Sequence, residues 1–175
     1  MYWQMDKSGR DRDAGRLMSY MSRNPDQELT NRHGQKMTGE EQEEFIEKSA
    51  KHQHEKDIVI SPNRVAGEQM TDEEISLAVR KNMSELVDDR PTADYCYSIH
   101  RAPDDPDTRT HVHVALTGSK GDLYADSKER QGLRRDAREQ FQERDYEHQQ
   151  AIQDRREQQI EQEQEQQQDR GHALD

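Results

Sequence analysis

Polar and apolar residues alternate over His111-Val112-His113-Val114, and Leu116 continues the apolar set. Side chains of an extended strand change face at every residue, so His111 and His113 share one face while Val112, Val114 and Leu116 share the other. A second strand-like run, Asp94-Tyr95-Cys96-Tyr97-Ser98-Ile99-His100, comes before it. Between the two, Arg101 to Arg109 carries Pro103, Asp104, Asp105, Pro106 and Asp107. That composition reads as a turn, and the two runs as an antiparallel hairpin.

Other segments follow the same logic. Asp57-Ile58-Val59-Ile60-Ser61 is β-branched and stops at Pro62, which predicts a strand. Leu17, Met18, Tyr20 and Met21 predict a short amphipathic helix, stopped by Asn24-Pro25-Asp26 because the residue before proline leaves the helical region. Thr38-Gly39-Glu40-Glu41 opens a second helix, with Thr as N-cap and carboxylates in the first turn, running to about Lys51 through Phe45 and Ile46. Thr71-Asp72-Glu73-Glu74 is a capping box, followed at helical spacing by Ile75, Leu77, Ala78, Val79, Met83, Leu86 and Val87 up to Asp89. Tyr2 and Trp3 suggest an edge strand, followed by a polar link from Asp6 to Asp13. A polar loop holds Asn31 and Gly34, Gly118 to Gly121 makes a tight turn, and Leu123-Tyr124 is a short strand or edge. Asp126-Ser127 caps a long final helix.

These elements predict an α+β fold, an antiparallel-rich central sheet carrying the histidines, with helices packed on it and covering one face. The pattern fades toward the C-terminus. Ten of the twenty residues from Gln149 to Gln168 are Gln, and Ile152 and Ile160 are the large apolar ones. Such a segment has no stripe to bury, which divides the chain into a domain over 1–141 and a polar helical or disordered extension over 142–175.

Composition agrees with a modest core, since 28% of the 175 residues are hydrophobic and 37% charged. No apolar run approaches the length of a membrane span, and Met1-Tyr2-Trp3-Gln4-Met5-Asp6-Lys7 is no signal peptide, so a soluble, cytoplasmic protein is expected. The net charge of −12 argues against a nucleic-acid partner until its distribution is seen. From Gln142 to Asp175, ten Asp or Glu stand against four Arg, so half of the excess lies in the extension.

If His100 lies on the face of His111 and His113, cross-strand neighbours about 5 Å apart bring three imidazoles together. Three neutral histidines with further positions open describe a catalytic metal site better than a closed structural one. Surface histidines on an ordinary strand are the plainer alternative for a lone His-x-His. The apolar lining and the third histidine favour the metal. Cys96, the single cysteine, reads as packing beside Ser98, with a fourth-ligand role the lesser alternative.

At this point the residues resemble a known family. The order Leu17-Met-Ser-Tyr20-Met-Ser-Arg23-Asn, a loop, a helix, a strand ending at Ser61-Pro62, a capped helix, then Tyr97-Ser-Ile-His100 and His111-Val-His113-Val is similar to the relaxase domain of plasmid mobilisation proteins. It is closest to the MobP-type, border-endonuclease-like group of the HUH endonuclease superfamily, over roughly residues 15 to 141. The resemblance implies an enzyme that nicks one DNA strand at an origin of transfer through a 5′-phosphotyrosyl bond and later reseals it. It makes Tyr20 the nucleophile, and His100, His111 and His113 the ligands of a divalent cation. It also implies single-stranded DNA as substrate, with accessory or coupling proteins as partners. Chemistry agrees, because a phenol, with an ordinary pKa of about 10, needs a cation or base to become a good nucleophile. Imidazoles are softer than the carboxylates that suit Mg²⁺, so Mn²⁺, Zn²⁺ or Ni²⁺ should bind more tightly, with Mg²⁺ serving through abundance.

The chain departs from the family pattern in having Thr110 where a proline usually precedes the histidine pair and Thr117 where an asparagine usually follows it. The segment before His111 is also longer than the family's, which leaves Asp104, Asp105 or Asp107 as alternative ligands to His100. Replication initiators and small transposases of the same superfamily place the tyrosine after the histidine pair, where this chain offers Tyr124 and Tyr146. The spacing favours Tyr20, with Arg23 near it as a phosphate contact. Lys128, Arg130, Arg134, Arg135 and Arg138 read first as a helix laced with ion pairs. In a relaxase, Lys128, Arg130, Arg134 and Arg138 would track the DNA backbone. A non-catalytic DNA-binding or adaptor protein of the same fold is the alternative from another class.

Overall fold

The structure, a computed structural model, describes residues 1–5, 14–23, 27–52, 54–101 and 109–172. Its elements in chain order are β1 (Tyr2–Met5), α1 (Ala14–Met21), β2 (Thr30–Asn31), α2 (Gly39–His52), β3 (Glu55–Ser61), α3 (Arg64–Gln69), α4 (Asp72–Val87), β4 (Asp94–His100), β5 (His111–Thr117) and α5 (Ser127–His172). The strands form one five-stranded sheet in the order β1-β3-β5-β4-β2, and every neighbouring pair is antiparallel. The fold is α+β, as the pattern predicts. No helix among the described residues is long and apolar enough to cross a membrane.

Register assigns the two faces. Ile58 lies opposite Val114, Ile60 opposite Val112 and Tyr97 opposite Val114, so these side chains form one apolar surface. Trp3 and Met5 extend it from β1, and α3, α4 and α5 supply Ala66, Ile75, Val79, Met83, Leu133 and Phe141. Two buried hydrogen bonds fix this layer, with Trp3 Nε1 donating to Asn82 Oδ1 at 3.2 Å and Asn82 Nδ2 donating to the Leu133 carbonyl at 2.9 Å. Because Asn82 is 1% exposed, its amide serves where water cannot.

The opposite face carries the histidines, and helices lie there too. Leu17, Met18 and Met21 of α1 and Phe45 of α2 pack with Leu29, Met37, Cys96 and Ala115 into a second buried cluster. This corrects the expectation that helices cover one face. With Cys96 and Ala115 as its floor, the sheet presents little side-chain bulk there, so a helix can sit close.

Local chemistry sets the helix starts. Thr71 Oγ1 accepts from the Glu74 amide and the Glu74 carboxylate accepts from the Thr71 amide, a complete capping box. Thr38 and Glu41 make the same reciprocal pair before α2, and Asp126 Oδ1 accepts from the Glu129 amide at the start of α5. Leu123 and Tyr124 form no strand. Leu123 N donates to the Ser119 carbonyl and Tyr124 N to that of Gly121, so the segment turns on itself while still burying Leu123. The two-residue β2 and the six-residue α3 carry too few positions for a period to show. Helix α5 runs unbroken through 141/142. Phe141 is buried, and the residues beyond it whose side chains are described are exposed.

Candidate metal centre

Antiparallel register places His100 directly opposite His111 and Ser98 directly opposite His113. The period of two then puts all three imidazoles on one face, with ring centroids 5.0 Å apart in each of the three pairs. One ligand atom from each ring lies within 4.8 Å of the others. His100 and His113 are 8% and 7% exposed, so the cluster sits in the protein surface rather than on it.

Each ring is held by its other nitrogen. His100 Nε2 lies 2.9 Å from the Met21 carbonyl and His111 Nδ1 lies 2.8 Å from the Arg109 carbonyl. His113 Nδ1 makes a longer contact of 3.4 Å to Asp57 Oδ1. Carbonyl oxygens only accept, so those two nitrogens carry the hydrogens, and a neutral ring then keeps a lone pair on its remaining nitrogen. Outward N–H donation of this kind orients imidazoles that bind a cation. The three histidines therefore fit a divalent ion as its protein ligands.

Electrostatics point the same way. Burial holds the His100 imidazole well below its ordinary value, at about 4, a shift partly offset by the hydrogen bond to Met21 and reinforced by His113, His111 and Arg23. Burial likewise pushes His111 down. His100 is thus a neutral ligand at pH 7, without protons to displace. The Cys96 thiol is pushed the other way, upward, by burial and then by the charges of Asp94 and Glu55. It stays a thiol, stands outside the ligand cluster and packs in the core. Asp104, Asp105 and Asp107 lie outside the described residues.

Helix α1 brings the tyrosine. Leu17, Met18 and Met21 face inward, which turns Tyr20 to the flank of the helix, 47% exposed. Its ring meets that of His113 edge-on at a centroid distance of 5.3 Å. The last carbonyls of a helix lack partners of their own, and His100 takes that of Met21, next to Tyr20. One candidate ligand therefore also anchors the element that carries the phenol. The Arg23 guanidinium lies 5.5 Å from the Tyr20 ring centroid.

Other residues singled out in the sequence are not gathered here. Tyr124 is 68% exposed and follows the turn after Thr117, the end of β5 away from His111. Tyr146 lies on α5 beyond Phe141 and is 64% exposed. Lys128, Arg130, Arg134 and Arg138 belong to the same helix, whose Leu133, Ala137 and Phe141 pack on the face opposite the histidines. Arg130 donates to the Ala125 carbonyl, and Arg135 pairs with Asp136 at 3.6 Å. Thr110 and Thr117 are both buried, and the Thr110 carbonyl accepts from Ser61 Oγ at 3.1 Å.

Asp57, 3.4 Å from His113 Nδ1, is a site residue that no motif in the sequence marks. The alternation of Asp57, Val59 and Ser61 gives it a face, but not the neighbour that β5 provides. Comparison of the chain with protein-family profiles, with curated proteins and with solved structures finds no match in any of the three.

Proposed function

We propose that this protein is a metal-dependent enzyme that nicks and rejoins single-stranded DNA, with Tyr20 as the nucleophile. The observation that carries this reading is the edge-on contact of a half-exposed tyrosine with a cluster of three histidines whose ligand atoms lie within 4.8 Å of one another. Tyr20 Oη forms a bond to phosphorus while the bond from phosphorus to the 3′ oxygen breaks. The 3′ oxygen leaves and takes up a proton, and the 5′ side stays on Tyr20 as a phosphotyrosyl ester. That ester keeps much of the energy of the broken bond. The 3′ hydroxyl can therefore attack in reverse and release Tyr20 without ATP.

His100, His111 and His113 would hold the divalent cation, with Mn²⁺, Zn²⁺ or Ni²⁺ preferred by affinity and Mg²⁺ by abundance. When bound, the cation supplies polarisation of the scissile phosphate and offsets charge developing on its non-bridging oxygens. Arg23 adds a positive charge beside the phenol, which attracts phosphate. The proton of Tyr20 Oη passes to solvent, to which the ring is open. Following the resemblance, the target is an origin of transfer in plasmid mobilisation or conjugation, in the cytoplasm, with accessory or coupling proteins as partners.

Incubation with Mn²⁺ and a library of single-stranded oligonucleotides tests this, read as a covalent protein–DNA adduct on a denaturing gel. Tyr20→Phe should eliminate the adduct and leave Mn²⁺ and DNA binding nearly intact, since a hydroxyl alone is removed. An adduct that survives Tyr20→Phe but not Tyr124→Phe or Tyr146→Phe would move the protein to the initiator and transposase chemistry. DNA binding with no adduct under any condition would favour the adaptor reading.

A further inference from the structure

Helices α1 and α2 cover only part of the histidine-bearing face. They pack over β5 and, through Cys96, over β4. Of the residues that β1 and β3 present on the same face, Tyr2, Gln4, Asp57 and Val59 are exposed or partly so, while Glu55 and Ser61 are buried. The boundary between covered and open sheet runs beside the metal centre.

Register locates the open residues. Val59 lies between His113 and Gln4 across the sheet. Carrying the β3–β5 register one residue further sets Ser61 opposite His111, and Tyr2 is opposite Ser61. His100, His111, Ser61 and Tyr2 thus form one row, and at strand spacings of about 4.8 Å the Tyr2 backbone lies roughly 10 Å from that of His111. Tyr2 is 53% exposed while its neighbour Trp3, on the other face, is 3% exposed. Nothing in the core requires the Tyr2 ring.

Two arginines lie on the α1 side of the open surface, which itself carries the Asp57 carboxylate. Arg16 and Tyr20 are spaced to share one side of α1, and both are exposed, as is Arg23 just beyond the helix. Arginines thus stand one turn before and three residues after Tyr20, the Arg23 guanidinium 5.5 Å from its ring centroid, while an aromatic ring stands on the open sheet beyond the histidines. A flexible chain of alternating phosphates and flat bases fits this combination of cations and aromatic platform. A duplex keeps its base faces stacked internally and offers none to Tyr2.

We infer that Tyr2 is a base-stacking platform for a nucleotide flanking the phosphate held at the metal centre, with Arg16 as a backbone contact on the α1 side. This rests on the proposed reading of the site as one that binds single-stranded DNA. It makes Tyr2 a positioning residue that fixes where the strand lies, and not a participant in bond making.

The test uses the 175-residue chain with Mn²⁺, in a Tyr20→Phe background that prevents turnover. Two probes are compared, a short oligothymidylate and an abasic sugar-phosphate chain of the same length. Tyr2→Ala should weaken oligothymidylate binding by roughly tenfold or more and leave the abasic chain almost unaffected, whereas Tyr2→Phe should bind both like the parent. Arg16→Gln should weaken both probes alike. An oligonucleotide carrying 5-iodouracil should crosslink to the peptide that contains Tyr2. Equal losses on both probes for Tyr2→Ala, no loss on either, or crosslinks confined to other peptides would overturn the role of Tyr2 while leaving the nuclease reading standing. A parent protein that binds neither probe would sink both.

Discussion

Acidification should destabilise the metal-free protein through His100, by an amount the structure sets. The imidazole has an ordinary value of 6.5 and is held at about 4 in the fold, chiefly by burial. A histidine depressed in this way binds more protons unfolded than folded between those values, so stability is full above pH 6.5 and falls as the pH drops. The whole difference is about 3 kcal/mol, of which about 2 kcal/mol is lost between pH 7 and pH 5. His111 is depressed too and adds in the same direction. Glu41 and Asp122 are held below ordinary values of 4.5 and 3.8, so their contributions are lost only at lower pH and leave this window to the histidines. The assay is urea unfolding in EDTA at pH 7 and pH 5, for the parent and for His100→Gln, whose amide can still donate to the Met21 carbonyl. The parent should lose about 2 kcal/mol more than the variant, since His111 is common to both. Equal losses in the two proteins, or a parent that is more stable at pH 5, would refute the buried, neutral His100 on which the ligand assignment depends.

Replacing both His111 and His113 by Ala should abolish Mn²⁺ uptake in calorimetry, and unchanged affinity would remove the site. Asp57→Asn should weaken Mn²⁺ binding about 10- to 100-fold while leaving the fold intact, because the carboxylate orients His113 and does not ligate; a loss of folding in thermal melts would instead make Asp57 structural. Asn82→Ala should cost about 2 kcal/mol in urea unfolding, since it strands the buried Trp3 N–H. Deleting residues 142–175 should change stability by less than about 0.5 kcal/mol, because the described side chains there are exposed, and should keep or strengthen salt-dependent binding of single-stranded DNA, because half of the excess negative charge leaves with the segment.

What depends on neighbours a few positions away is legible in the chain alone. Alternation over His111 to Leu116 gives two histidines a common face because the backbone of a strand dictates it. Thr71 and Glu74 start α4 because their groups reach each other within one turn. The spacing of Leu17, Met18 and Met21 makes α1 amphipathic with Tyr20 on its flank. None of this needs the rest of the chain.

Which of those surfaces meet depends on packing across the whole fold. His100 joins the pair because β4 and β5 align in the register that sets it opposite His111, a choice that the segment between them does not reveal. Asp57 reaches His113 because β3 sits between β1 and β5 rather than at an edge. Small Cys96 and Ala115 admit α1 onto the histidine face, where the Met21 carbonyl meets His100 and Tyr20 meets His113. The Arg row of α5 shows the converse, since Leu133, Ala137 and Phe141 send that helix to the other face. Periodicity says which side of an element is apolar. Which layer buries that side is fixed by packing many elements together, because only the assembled core selects one arrangement among the faces that the sequence leaves equivalent.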